Sequence, residues 1–229
     1  MVGDERLYGI IRDVSSRYGC SVKDASFKDF KDFKVSWNRK GSEKSYCVSD
    51  YLSDAPDDIL YEFFGTLVPR AIGNKKEYSE KYLDWISSDE FVLSKRPTYL
   101  QRSRNVSRTT VGKNREIGES LDRLLDAGLI RDTDIHNSFY TWTINPNCRM
   151  LGGCNPMFRV ITISSALDSD KVPEDVFDYV TYHETLHLRR GFRPDKRAHD
   201  KSFRLLERQF PKWQECEKFL STRLKGIID

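Results

Sequence analysis

The chain has 229 residues, of which 38% are hydrophobic and 32% are charged, and its formal net charge is +3. This length is sufficient for a core without covalent staples, and we expect one domain over residues 1–229. The small charge indicates no partner, and no apolar run approaches the ~18 residues of a membrane helix, so we expect no membrane association. The five cysteines form no C-x-x-C pair and no apolar segment follows Met1. These features argue against a disulfide framework and a signal peptide, and they predict a cytoplasmic protein.

The first third of the chain predicts a helix, a hairpin and two further helices. Residues 4–18 carry apolar side chains at helical spacing. Residues 33–37 alternate apolar and polar side chains, and the polar stretch at 38–41 predicts the turn of a β-hairpin. Pro56 stands among acidic residues, which is typical of the first turn of a helix, and Pro69 is expected to end or kink that helix. A further helix carrying Tyr82, Trp85 and Ile86 is expected before residue 91.

Residues 91–115 contain seven basic residues and no acidic residue. Pro97 and Gly112 are expected to break any long helix there. One interpretation is a solvated, partly mobile loop; another is a nucleic-acid contact through the basic residues between 95 and 115. Residues 116–127 predict an amphipathic helix, so 91–135 is interpreted as a basic loop and helix insertion without an assigned role. The basic residues are Lys95, Arg96, Arg102, Arg104, Arg108, Lys113 and Arg115.

Two short strands are predicted before the most informative part of the chain. Residues 138–145 alternate as a strand, and residues 158–163 are rich in β-branched side chains. The Gly-rich stretch at 151–156 predicts the turn between them. A helix followed by a hairpin also occurs in winged-helix proteins, but these strands are better explained as a sheet beside a metal site.

The helix predicted from Pro173 to about Arg190 contains an H-E-x-x-H pattern, His183-Glu184-Thr185-Leu186-His187. Four residues turn a helix by about 400°, so His183 and His187 project from one face and can reach one metal ion at about 2.0–2.1 Å. Glu184 lies one step around the helix, where its carboxylate can act as general base on a water molecule. The pattern therefore predicts a metal-dependent hydrolytic site.

A third ligand is expected from His199, which lies past the break at Gly191 and Pro194. We expect a helix beginning near Asp195, in which His199 and Phe203 share one face with two further apolar residues. Three carboxylates are weaker alternatives to His199 as the third ligand; they belong to Asp195, Asp200 and Glu207. The remaining histidine, His136, is interpreted as a loop or surface residue.

The stretch from Leu151 to about Leu220 resembles the SprT-like and YgjP-like zinc metallopeptidases of the zincin superfamily. The resemblance lies in the order of a strand, the H-E-x-x-H helix, a turn, and His199-Asp200-Lys201-Ser202-Phe203. It implies an α+β, zincin-like fold, in which a small mixed β-sheet is flanked by helices and the H-E-x-x-H helix packs on the sheet. Residues 151–225 would form the metal-site core, and the substrate would lie along an edge strand near 159–164.

The same resemblance implies one Zn²⁺ per chain, bound by His183, His187 and His199, with Glu184 as the catalytic base. The preferred hypothesis is therefore a zinc metalloendopeptidase that hydrolyses peptide or protein substrates through a zinc-activated water. The alternatives are a non-catalytic scaffold braced by zinc and a DNA-associated SprT-like protease. The second alternative would use the basic residues 95–115.

Overall fold

The computed structural model describes residues 2–40 and 43–222 of the chain. The described residues form a mixed α+β fold with nine α-helices and two small mixed sheets. The structure divides into two compact units, Met1–Phe91 and Val92–Asp229. The division falls inside a helix, so no Pro- or Gly-rich linker marks it in the sequence. Among residues 2–40 and 43–222, no helix has both the length and the apolar character that crossing a membrane requires.

The first unit contains a three-stranded sheet with the strand order β1-β3-β2. β1 is parallel to β3, whereas β2 and β3 form the antiparallel pair that the sequence predicts. Its elements are α1 (Val2–Ser16), β1 (Ser21–Lys28), β2 (Val35–Lys40), β3 (Glu43–Ser49), α2 (Asp57–Arg70) and α3 (Glu80–Ser87).

Two details of the first unit differ from the prediction, and a third agrees with it. β1 is absent from the prediction because a bulge between Val22 and Asp24 disturbs its alternation of buried and exposed residues. β2 continues to Lys40, so most of the predicted turn belongs to the strand, and residues 41–42 lie outside the described chain. α2 ends at Arg70, directly after Pro69, as the sequence predicts. Pro69 has no backbone N–H group that could donate to the Gly65 carbonyl. That carbonyl accepts a hydrogen bond from Lys76 Nζ at 2.8 Å instead.

The second unit contains the other sheet, with the strand order β4-β6-β5. β4 is parallel to β6, and β5 is antiparallel to it. The helix α4 (Asp89–Arg102) crosses the division between the units. The remaining elements are α5 (Ile117–Asp126), α6 (Asp132–Ile135), β4 (Phe139–Trp142), β5 (Gly152–Asn155), β6 (Val160–Ile163), α7 (Glu174–Arg190), α8 (Lys201–Glu207) and α9 (Trp213–Thr222).

The predicted basic loop is partly a helix, because α4 continues through Pro97 to Arg102. Tyr99 stacks on Phe158 with ring centroids 4.7 Å apart, so this helix is packed rather than solvated. The loop that follows is held by the Asp168 carboxylate, which accepts the backbone N–H groups of residues 114 and 115 at 2.8 and 3.0 Å. The mobile-loop interpretation of residues 91–115 is therefore wrong for the helical part.

The Gly-rich stretch predicted as a turn contains the strand β5, and β6 lies between β4 and β5. The edge strand beside α7 is therefore Gly152–Asn155, and the prediction of an edge near 159–164 is wrong. Neighbouring glycines have no side chains and show no alternation, which explains why the sequence pattern fails here.

The core of the second unit is organised around α7, which contacts β5 and β6 and four of the other helices. Phe177 is fully buried and stacks on Trp142, with ring centroids 5.3 Å apart and planes within 10°. Val176 and Val180 are also buried, which confirms that this face of the helix points inward, as the spacing predicts.

An ion pair joins the short helix α6 to the C-terminal part of α7. Arg189 donates to the Asp134 carboxylate at 2.6 Å and to the Leu129 carbonyl at 2.8 Å. Burial opposes ionisation of Asp134, but the hydrogen bonds from Arg189 and the Arg131 N–H hold the pKa of Asp134 below its ordinary value. This carboxylate is therefore a charged, buried anchor at the end of α7.

We expect Asp134→Ala to lower the free energy of unfolding by about 3–5 kcal/mol, because it leaves Arg189 buried without its partner. Urea denaturation measures the change, and Asp132→Ala, an exposed acid of the same helix, is the control, with a loss below about 1 kcal/mol. Because the folded-state pKa of Asp134 is lowered, its contribution is present above the unfolded pKa and disappears as pH falls through the folded pKa. A loss in Asp134→Ala no larger than that in the control would contradict this role.

Candidate metal centre

The helix α7 positions two of the predicted histidines. It begins after Pro173, with Glu174 and Asp175 in its first turn, where acids are favoured by the helix dipole. It ends at Gly191, whose φ of +67° is a left-handed conformation that suits glycine. Between these ends, the face that is apolar in the first half of the helix continues as His183 and His187.

His199 reaches the same place from a loop rather than from a helix. The predicted helix beginning near Asp195 does not form; α8 begins at Lys201, and Asp200 is its N-cap. The Asp200 carboxylate accepts the Phe203 N–H at 3.0 Å and an Arg190 guanidinium N–H at 2.9 Å. One side chain therefore caps α8 and ties it to the end of α7, and His199 is the residue just before it.

The three histidines converge on one point. His199 Nε2 lies 3.2 Å from His183 Nε2 and 3.0 Å from His187 Nε2. Tetrahedral metal bonds of about 2.05 Å would separate two ligand nitrogens by about 3.3 Å. Beneath them lies the fully buried ring of Phe203, with ring centroids 4.6–5.1 Å from those of the three imidazoles. The cluster can therefore hold one metal ion.

Glu207 supports the cluster from behind. Its Oε1 lies 2.6 Å from His183 Nδ1, so a protonated Nδ1 donates to the carboxylate and leaves Nε2 with its lone pair directed at the cluster. The sequence singles out Glu207 only as a weak alternative to His199 as third ligand. In the structure it is instead the hydrogen-bond partner of His183, a candidate ligand.

Burial disfavours the charged form of two of the imidazoles. It lowers the pKa of His183, an effect that the hydrogen bond to Glu207 partly offsets. Burial also lowers the pKa of His187 to about 4, with added repulsion from the neighbouring imidazoles and Arg190. Since only the neutral imidazole can bind a metal ion, the apo site favours the metal-binding form over a wide pH range.

The Glu184 carboxylate lies beside β5 and is only 7% exposed. A Cβ atom at Gly152 would lie 2.5 Å from Glu184 Oε1, so the strand can pass this close only because position 152 is glycine. Burial raises the pKa of Glu184 to about 8. A carboxylate held in this way is typical of a group that exchanges protons with a substrate.

The side chains of the cluster and Glu184 line one large cleft of about 1340 Å³. Its lining includes β5, the three histidines, Glu184 and Glu207, and the segment that follows α7. The size is sufficient for a peptide segment or a comparable ligand.

The other candidate residues lie elsewhere or have structural contacts. His136 is exposed and is outside the histidine cluster. Arg96 donates to the Asn137 carbonyl at 2.5 Å, and Arg108 donates to the Leu100 carbonyl at 3.0 Å. Arg115 donates to the Val172 carbonyl. Several of the basic residues considered for nucleic acid therefore stabilise the fold of the second unit.

Comparisons with known proteins add no family assignment to this geometry. The chain matches no protein-family model, no curated protein and no solved structure.

We expect the protein to bind one divalent metal ion per chain, with Zn²⁺ and Co²⁺ as probes. His199→Ala should weaken binding by more than the ~10–100-fold typical of losing an outer partner, because it removes a direct ligand. Competition with a chromogenic chelator measures the affinity, and His136→Ala is the matched control. Unchanged affinity in His199→Ala would show that this residue is not a ligand.

Removal of the orienting carboxylate has a smaller predicted effect. Glu207→Ala should weaken metal binding by about 10–100-fold because His183 Nδ1 loses its acceptor. Glu207→Gln should lose less, since its amide oxygen can still accept the Nδ1 proton. The same chelator competition tests both variants, and equal losses in the two would rule out an orienting role through this hydrogen bond.

Proposed function

We propose that this protein is a zinc-dependent metalloendopeptidase. The observation that carries the proposal is the convergence of three imidazole Nε2 atoms next to the buried Glu184 carboxylate, in one cleft bordered by an edge strand. The mixed sheet with α7 packed on it supports a zincin-like arrangement of the second unit.

The donor set fits zinc. Three neutral imidazoles are a ligand set of catalytic zinc sites, and three protein ligands leave one of four tetrahedral positions open. The nitrogen separations of 3.0 and 3.2 Å are close to those that tetrahedral zinc needs. When bound, zinc would supply Lewis acidity, which polarises a peptide carbonyl and makes a water molecule more acidic.

Glu184 is the proton carrier in this proposal. Its carboxylate takes a proton from the attacking water and then gives it to the amine of the departing peptide, so the residue ends each cycle in its starting state. The Glu184 carboxylate lies next to Gly152, so this proton transfer would occur beside the edge strand. Glu207 acts through His183, whose ring orientation it holds.

The edge strand β5 supplies the means of holding a substrate. Within the described sheet β5 pairs on one side with β6, and its other side is an edge that an extended peptide can join by backbone hydrogen bonds. Backbone pairing of this kind is independent of side chains. It therefore places a peptide bond beside Glu184 with little demand on sequence.

We expect Glu184→Gln to lower kcat for a zinc-loaded protein acting on a peptide substrate by about 10²–10⁴-fold, because the amide cannot accept the water proton. A quenched-fluorescence peptide assay measures the rate, and metal analysis should find zinc retained. Glu215→Gln removes the same charge from an exposed position outside the cleft and should leave kcat unchanged.

Two results would contradict the proposal. Turnover retained in Glu184→Gln would exclude this residue as the base. If the zinc-loaded wild type cleaves no peptide or protein, but unfolds when zinc is removed, the site is a structural brace instead.

A further inference from the structure

Positive charge is concentrated along part of the cleft lining. The segment between Gly191 and Ala198 contributes Arg193, Lys196 and Arg197, which are exposed, and the loop before β5 contributes exposed Arg149. We call these four residues the basic wall. Asp195 is acidic and belongs to the same segment, but it is not among the lining residues.

The acidic residues that line the cleft already have other contacts. Six cationic and three acidic residues contribute to the lining. Glu184 is buried beside β5, Glu207 accepts from His183 Nδ1 at 2.6 Å, and Glu217 accepts from the Tyr179 hydroxyl at 3.3 Å. Among the lining cations, Arg190 belongs to α7 and Lys218 to α9, so neither is part of the basic wall.

A cleft lined by an excess of one charge concentrates ligands of the opposite charge. The basic wall lines the same cleft as the three histidines and Glu184, so it would meet the side chains of a substrate held there. A nucleic acid would be favoured by a basic track outside the cleft, whereas these charges line the same cleft as the strand that can pair with a peptide. The occupant that fits best is a peptide with acidic side chains.

We infer that the cleft selects acidic peptide substrates, with Arg193 and Arg197 as specificity-determining residues for Glu or Asp side chains near the scissile bond. This inference rests on the proposed function, since it names the substrate class of the same site. Backbone pairing with β5 does not distinguish between peptide side chains, whereas the basic wall would select acidic ones.

The test compares two fluorescein-labelled peptides of equal length, one with two glutamates and one with glutamine in their place. Binding is measured by fluorescence anisotropy with zinc-loaded Glu184→Gln protein, so that it does not depend on turnover. The glutamate peptide should bind about 10–30-fold more tightly at low salt, because two additional charge pairs form. The ratio should approach one at ~500 mM salt, where exposed charges are screened.

The double variant Arg193→Gln/Arg197→Gln, made in the same background, should reduce this ratio to about 3-fold or less. The matched control, Lys201→Gln/Arg204→Gln, removes two charges from exposed positions on α8 that do not line the cleft. It should retain the ratio. Hydrolysis of both peptides by the wild type is measured in parallel.

Equal binding of the two peptides would overturn the inference, as would an equal loss of the ratio in the cleft variant and the control. Tight binding of a single-stranded oligonucleotide, without discrimination between the peptides, would also overturn it and assign the wall to nucleic acid. Preferential binding of the glutamate peptide without its hydrolysis by the wild type would uphold the selectivity and contradict the proposed function.

Discussion

The burial of α7, in which every residue from Val176 to Tyr182 is buried, is the constraint on which the second unit depends. The first half of the helix, with the row of Val176 and Val180, packs in the core, and Phe177 stacks on Trp142. Further along the same helix, the side chains that continue this row are His183 and His187, and they line the cleft. The packed half of α7 and the half that carries His183 and His187 belong to one helix. The packing that stabilises the unit therefore also fixes the directions of two candidate metal ligands. The ion pair between Arg189 and Asp134 anchors the far end of the helix.

Two features of the site are unfavourable for the stability of the fold. A carboxylate that is 7% exposed is disfavoured in its charged form, which is why the pKa of Glu184 rises. Two glycines follow each other in the edge strand beside it, although glycine weakens a strand. Gly152 is required because a side chain there would occupy the space of the carboxylate. Two locally unfavourable choices that meet at one point are what a functional site is expected to show.

The sequence is most informative where side-chain spacing is the physical cause of the structure. The helical spacing of His183 and His187 and the buried stripe before them follow from 3.6 residues per turn, and α7 has this form. The sequence is least informative where the determinant is a contact distant in the chain. β5 begins with two glycines, and its strand form follows from its pairing with β6. His199 joins the cluster as expected, but the loop that carries it is held by Asp200 rather than by a helix.

The loop origin of His199 has a consequence for how the site works. Two of the candidate ligands belong to a packed helix, whereas the third belongs to an exposed segment held through Asp200 by Arg190 and by the Phe203 N–H. A metal ion that binds all three would join this segment to α7 and stabilise the folded arrangement by its binding free energy. The same segment carries Arg193 and Arg197 into the cleft. In the proposed enzyme, metal binding would therefore stabilise the part of the lining that is assigned to substrate side chains, so the proposed catalytic centre and the proposed selectivity depend on one loop.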